Sequence, residues 1–147
     1  MRTAFVSALL AAAVTCVAAP KAPAQEQYMA QVDSQLARIK RQLGPRYSES
    51  RQTIMNSRRD STPATESLVP SAGTYVFAGA GDNDVTAIKL RLFDANNVLV
   101  AADTSGSATP RFTYTVTQNG AYHRLEISLT GCRQYPCYFG VQPFQRR

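Results

Sequence analysis

The chain has 147 residues, with 16 Lys and Arg against 10 Asp and Glu and a formal net charge of +6. Its charges are mixed in sign, without a basic block of about five or six residues, which argues against a nucleic-acid-binding arm and leaves a weak preference for anionic envelope surfaces. Of the one histidine and three cysteines, Cys16 lies in the opening apolar stretch, and the remaining His123, Cys132 and Cys137 fall short of the four ligands a zinc site wants.

The opening stretch, MRTAFVSALLAAAVTCVAAPKAPAQ, places Arg2 before an apolar run from Ala4 to Ala19. Ala22-Pro23-Ala24 then ends the run in the A-x-A form. This order predicts a secretory signal peptide over 1–24, cleaved before Gln25, because the run falls short of the roughly 20 residues that span a bilayer. No later segment approaches a span, so the processed chain is expected to be soluble, and secreted or periplasmic. Cys16 lies in the leader and raises a lipoprotein alternative. The Ala13-Val14-Thr15 before it matches the small-residue triplet of lipid-modified cysteines poorly.

Met29, Val32, Leu36, Ile39 and Leu43 recur at helical spacing, which predicts an amphipathic helix over 25–44. Glu26 near its start and Arg38, Lys40 and Arg41 near its end suit the helix dipole. Gly44-Pro45 is a stop signal. The stripe is too short for a coiled coil, so it is expected to pack on the domain that follows. Residues 45–64 are polar around an apolar island, Thr53-Ile54-Met55, and read as a linker or a loosely attached strand.

From 65 to 147 the apolar period becomes two. Tyr75 and Phe77 share a face, as do Ile88, Leu90 and Leu92, and Phe112, Tyr114 and Val116. VLVAAD (98–103) reads as a shorter, more buried run. Turn clusters separate these segments, and Asn119-Gly120 is a strong type I′ hairpin signal. About seven or eight such strands predict a mainly β fold, an antiparallel jelly-roll-like β-sandwich preceded by one helix. In AYHRLEISL, inward positions for both Tyr122 and Leu125 require one extra residue, so a β-bulge is expected at His123-Arg124.

Without the leader, Cys132 and Cys137 remain as an even pair in an oxidising compartment, which predicts a disulfide clamping a hairpin. The loop it closes is short, so the bond is expected to contribute only about 2 kcal/mol.

Leu68, Gly73-Thr74-Tyr75, Asp82 with Asp84, Leu90-Arg91-Leu92-Phe93-Asp94, Val100-Ala101, and Gly120 with Tyr122 form a frame over residues 66 to 142. It resembles the bacterial pre-peptidase C-terminal domain and related small secreted β-sandwich proteins. The helix in front and the closing CRQYPCYFGV look like a stand-alone exported subgroup of these. The subgroup resembled carries a second cysteine pair flanking the D-x-D loop, where this chain has Gly81 and Val85. The resemblance implies a jelly-roll-like sandwich with an accessory, non-catalytic role.

Asp82-Asn83-Asp84 is the one candidate metal site, and only for calcium, because alternating oxygen side chains in a glycine-rich loop suit an ion that takes about six to eight oxygens. Asp94 and Asp103 lie on other turns, and Lys89 in the following strand opposes a cation. The competing reading is a solvated Asx turn. His123 stands without a G-x-S-x-G serine or free thiol, so a triad or metallo-hydrolase lacks material, and His123 is expected on the surface. Tyr135, Tyr138, Phe139 and Phe144, beside Arg133, Arg146 and Arg147, either pack the last strand or stack on a ligand. Two functions follow: a non-catalytic exported module binding a protein partner or envelope polymer, or a calcium-dependent adhesion or carbohydrate-binding module. No cofactor other than calcium and no nucleic-acid partner is expected.

Overall fold

The computed structural model describes residues 23–50, 53–58, 60 and 62–147. The expected leader, apart from Pro23 and Ala24, and Cys16 lie outside the described residues. The elements are α1 (Pro23–Leu43), β1 (Tyr47–Glu49), β2 (Ile54–Arg58), β3 (Ala64–Leu68), β4 (Gly73–Gly81), β5 (Val85–Asp94), β6 (Leu99–Asp103), β7 (Arg111–Val116), β8 (His123–Cys132) and β9 (Cys137–Arg146). The fold is mainly β, an antiparallel sandwich preceded by one helix, as expected.

Two antiparallel sheets face each other. In the first, β9 lies beside β4 and β4 beside β7, while β1 and β2 pair with successive stretches of β9. The second has the order β3-β8-β5-β6. The polar segment over 45–64 thus supplies β1 and β2, two edge strands beyond the number its composition suggested. Alternation explains the core: Tyr75 and Phe77 of β4 meet Ile88, Leu90, Leu125, Ile127 and Phe139 between the sheets.

The other face of the first sheet is covered by α1. Val32, Leu36 and Ile39 are buried against Val76, Ala78, Ala80 and Phe144. Each such aliphatic side chain contributes about 1.5–3 kcal/mol on burial, an upper estimate because unfolded chains already bury some surface. Gly140 of β9 lets the helix come close. A Cβ there would stand 3.0 Å from Val32 Cγ1 and 2.7 Å from Met55 Sδ. Gly44, at φ 77°, ends the helix in the left-handed conformation, and its N–H donates to the Lys40 carbonyl.

Three local expectations are corrected. First, β8 pairs with β5 without slip from Asp94↔His123 to Ile88↔Leu129, so there is no bulge at His123-Arg124. Tyr122 points out, 43% exposed, whereas His123 is only 4% exposed. The inward Tyr122 was the wrong premise. His123 is tolerated inside because its Nδ1 lies 2.9 Å from the Ala121 carbonyl and its ring meets Tyr114 edge-on. Register shifts occur instead on β5, around Ala87 and Ile88 opposite β8, and at Leu92/Phe93 opposite β6.

Second, β7 and β8 belong to different sheets, so Asn119-Gly120 is a crossing between layers and not a type I′ hairpin. Only Gly120 of the two has positive φ. Its N–H donates to the Pro70 carbonyl, and Asn119 Oδ1 accepts the Ala72 N–H. Third, β6 is an edge strand with Leu99 exposed, not a buried run.

The Cys132–Cys137 disulfide is present. Its hairpin placement is corrected too, because Cys132 ends β8 in one sheet and Cys137 opens β9 in the other. The bond therefore ties the two layers at one end. Reduction is expected to lower stability by about 2 kcal/mol, the entropy of so short a loop. Thermal unfolding with and without reductant measures this; loss of all cooperative unfolding would place the main source of stability in the bond.

Candidate functional site

The Asp82-Asn83-Asp84 turn joins β4 to β5. Asp82 is 2% exposed, and both of its carboxylate oxygens are engaged by backbone amides. Oδ1 accepts N–H donors from Asp84 and Val85 at 3.0 and 3.1 Å. Oδ2 accepts the Tyr138 N–H at 2.8 Å. The Asp82 N–H in turn donates to the Tyr138 carbonyl, so the side chain extends the β4–β9 ladder past its last backbone pair. From the helix, Gln35 Nε2 donates to the Gly81 carbonyl and Gln31 Oε1 accepts the Asn83 N–H.

The other carboxylates do not converge there. Asp94, at the opposite end of β5, accepts amides of its own turn from Asn96 and Val98. Asp103 accepts the N–H groups of Ser105 and Arg111. Burial raises the Asp103 carboxyl, but its hydrogen bonds to Ser105 and Arg111 outweigh this and hold it below its ordinary value. Among the described residues no group of three or more His, Cys, Asp or Glu is placed to hold a metal ion.

A different surface gathers binding chemistry. The first sheet is covered on both faces, by the sandwich partner and by α1. The outer face of the second sheet is left open by the described residues. Register places side chains in rows across it: Ser67, Arg124, Phe93 and Leu99 form one row, and Thr65, Glu126, Arg91 and Ala102 the next. Lys89 pairs with Ser128 in a third.

Within these rows the Arg124 guanidinium lies 4.2 Å from the centre of the Phe93 ring, and that of Arg91 lies 5.9 Å away on the same ring. Both arginines pair with Glu126, and Arg124 also donates to Asn97 Oδ1. Tyr122 Oη, 3.1 Å from Ser67 Oγ, extends the first row. The result is an aromatic platform whose bordering charges are held in place by hydrogen bonds. Such a surface offers stacking and charge-assisted bonds to a polar ligand.

A cavity of about 300 Å³ lies at the same end of the sandwich, with Leu68, Pro70, Tyr75, Phe77, Pro143 and Gln145 in its wall. Burial raises the Tyr75 phenol above its ordinary value, and its O–H donates to the Ser71 carbonyl.

Of the C-terminal aromatics, Phe139 and Phe144 are buried. Tyr138 stacks on Tyr28 of the helix, and Tyr135 is exposed. The Phe93–Arg124 pair was missed at the level of sequence because its partners come from strands far apart along the chain. Its visible signal was Phe93 and Arg91 on the polar phase of β5.

No protein-family model matches the chain, and no curated protein matches it.

Proposed function

We propose that this chain is a non-catalytic exported β-sandwich module that holds a protein partner or an envelope polymer on the open face of its second sheet. The observation that carries this reading is the Ser67–Arg124–Phe93–Leu99 row, an aromatic platform flanked by oriented guanidinium groups on a sheet face that no element among the described residues covers. The resemblance to pre-peptidase C-terminal domains, which accompany catalytic partners, supports an accessory role. The chain's leader-like start supports export. The calcium-dependent alternative draws no support from Asp82, whose oxygens are occupied by amides.

A photo-crosslinking residue at Leu99, on the open face, tests the reading against one at exposed Asp33 on α1. Adducts in the exporting cell are expected from position 99 and not from 33. Phe93→Ala combined with Arg124→Ala is expected to weaken retention of the adduct partner about tenfold or more, as for a central aromatic and arginine anchor. Equal yields from both positions, or retention unchanged in the double variant, would remove the open face as the binding site.

A further inference from the structure

The end of the sandwich where β9 finishes carries a second pattern, built from side chains other than those of the open-face rows. Antiparallel pairing brings the start of β1, Tyr47, beside Arg146. The Arg147 N–H donates to the Arg46 carbonyl at 2.8 Å, so these arginines leave neighbouring backbone. The C-terminal turn of α1 reaches the same end, since Lys40 pairs with Glu49 of β1. Arg41, Arg46, Arg146 and Arg147 are all exposed, and none makes an ion pair among the described residues. Glu49, the nearby acid, is occupied by Lys40.

Two loops reach this end from the second sheet. Leu68, the last residue of β3, pairs with His123, which also pairs with Asp94, the last residue of β5. Val69 follows Leu68, and Val98 closes the turn after Asp94. They are 66% and 56% exposed, the two most exposed large apolar side chains among the described residues. The cations spread over a helix end and two strand ends, so they suit an extended charged surface better than one enclosed anion. Apolar loop tips and exposed arginines at one end of a sandwich are the chemistry of an interfacial contact with anionic headgroups. No helix among the described residues is long and apolar enough to cross a membrane.

We infer that this end of the molecule docks on an anionic lipid surface, with Arg41, Arg46, Arg146 and Arg147 on the headgroups and Val69 and Val98 entering between them. The Ser67–Arg124–Phe93–Leu99 row adjoins this end, so the two sites are told apart by the different side chains they use.

The test is co-sedimentation of the processed chain with vesicles of phosphatidylglycerol and phosphatidylcholine, against vesicles of phosphatidylcholine alone. Binding is expected to the first only, and to fall as salt is raised. Arg46→Gln, Arg146→Gln and Arg147→Gln together are expected to weaken it by about tenfold or more, with an unchanged melting transition because these side chains are exposed. Val69→Ser with Val98→Ser is expected to weaken it about severalfold. Phe93→Ala is expected to leave vesicle binding intact. Equal binding to both vesicles, or an undiminished triple variant, would overturn the inference. So would binding to dextran sulfate in solution with no sedimentation on either vesicle, which would make this end a polyanion site.

Discussion

Asp82→Ala is expected to destabilise the protein by about 2–4 kcal/mol, the cost of leaving amides that donate to a carboxylate without their acceptor. The donors of Asp84, Val85 and Tyr138 lose Asp82 oxygens together. Val85 keeps a second acceptor in the Asp82 carbonyl, which holds the figure at a few kcal/mol. Asp82→Asn is the sharper variant. One amide oxygen still serves the turn, but the NH₂ group then faces the Tyr138 N–H, donor against donor. Chemical denaturation should therefore rank wild type above Asn and Asn above Ala. Millimolar calcium is expected to leave the melting temperature of the wild type unmoved. A calcium-dependent rise that disappears in Asp84→Asn would restore the calcium reading of this turn.

Phe144→Ala is expected to cost about 3–5 kcal/mol, the range for removing a buried phenylalanine and leaving a cavity. Phe144 lies between the first sheet and the helix, in the cluster of Val32, Leu36, Ile39 and Val76, and is 1% exposed. Phe139→Ala, in the core between the sheets, is expected to cost a similar amount. If helix and sandwich unfold as one unit, both variants show a single transition at lower denaturant. A second transition in Phe144→Ala, or a loss under about 1 kcal/mol, would mean that α1 packs on an already complete sandwich without adding to its cooperativity.

These two substitutions mark where reading the chain succeeded and where it did not. The helix was legible because a 3.6-residue period is a local property: Val32, Leu36 and Ile39 form a stripe whatever covers them. The strands of the sandwich were legible for the same reason, through alternation in β5 and β8. The disulfide was legible from the pair that Cys132 and Cys137 form once the expected leader is set aside.

What the stripe and the strands would pack against was not local. β9 is buried on both faces along most of its length, because Phe139 and Val141 face the other sheet while Phe144 faces α1. In the same way Asn119-Gly120 has the composition of a hairpin turn, yet the strands on either side go to different sheets. Alternation says which residues share a face but not which sheet the strand joins. His123 and Tyr122 exchanged places for that reason, since pairing with β5 and β3 decides which phase of β8 is inside.

Asp82 shows the limit most clearly. Two carboxylates around an asparagine look like cation ligands when only near neighbours are considered. The donor that occupies Asp82 Oδ2 belongs to Tyr138, 56 residues further on. The chain by itself determined the periods, the turns and the cysteine pair, each of which depends on residues a few positions apart. Sheet membership, the inner phase of β8, the Phe93–Arg124 platform and the partner of Asp82 were decided only by tertiary structure, because each requires groups distant in sequence to be brought within hydrogen-bonding or van der Waals range.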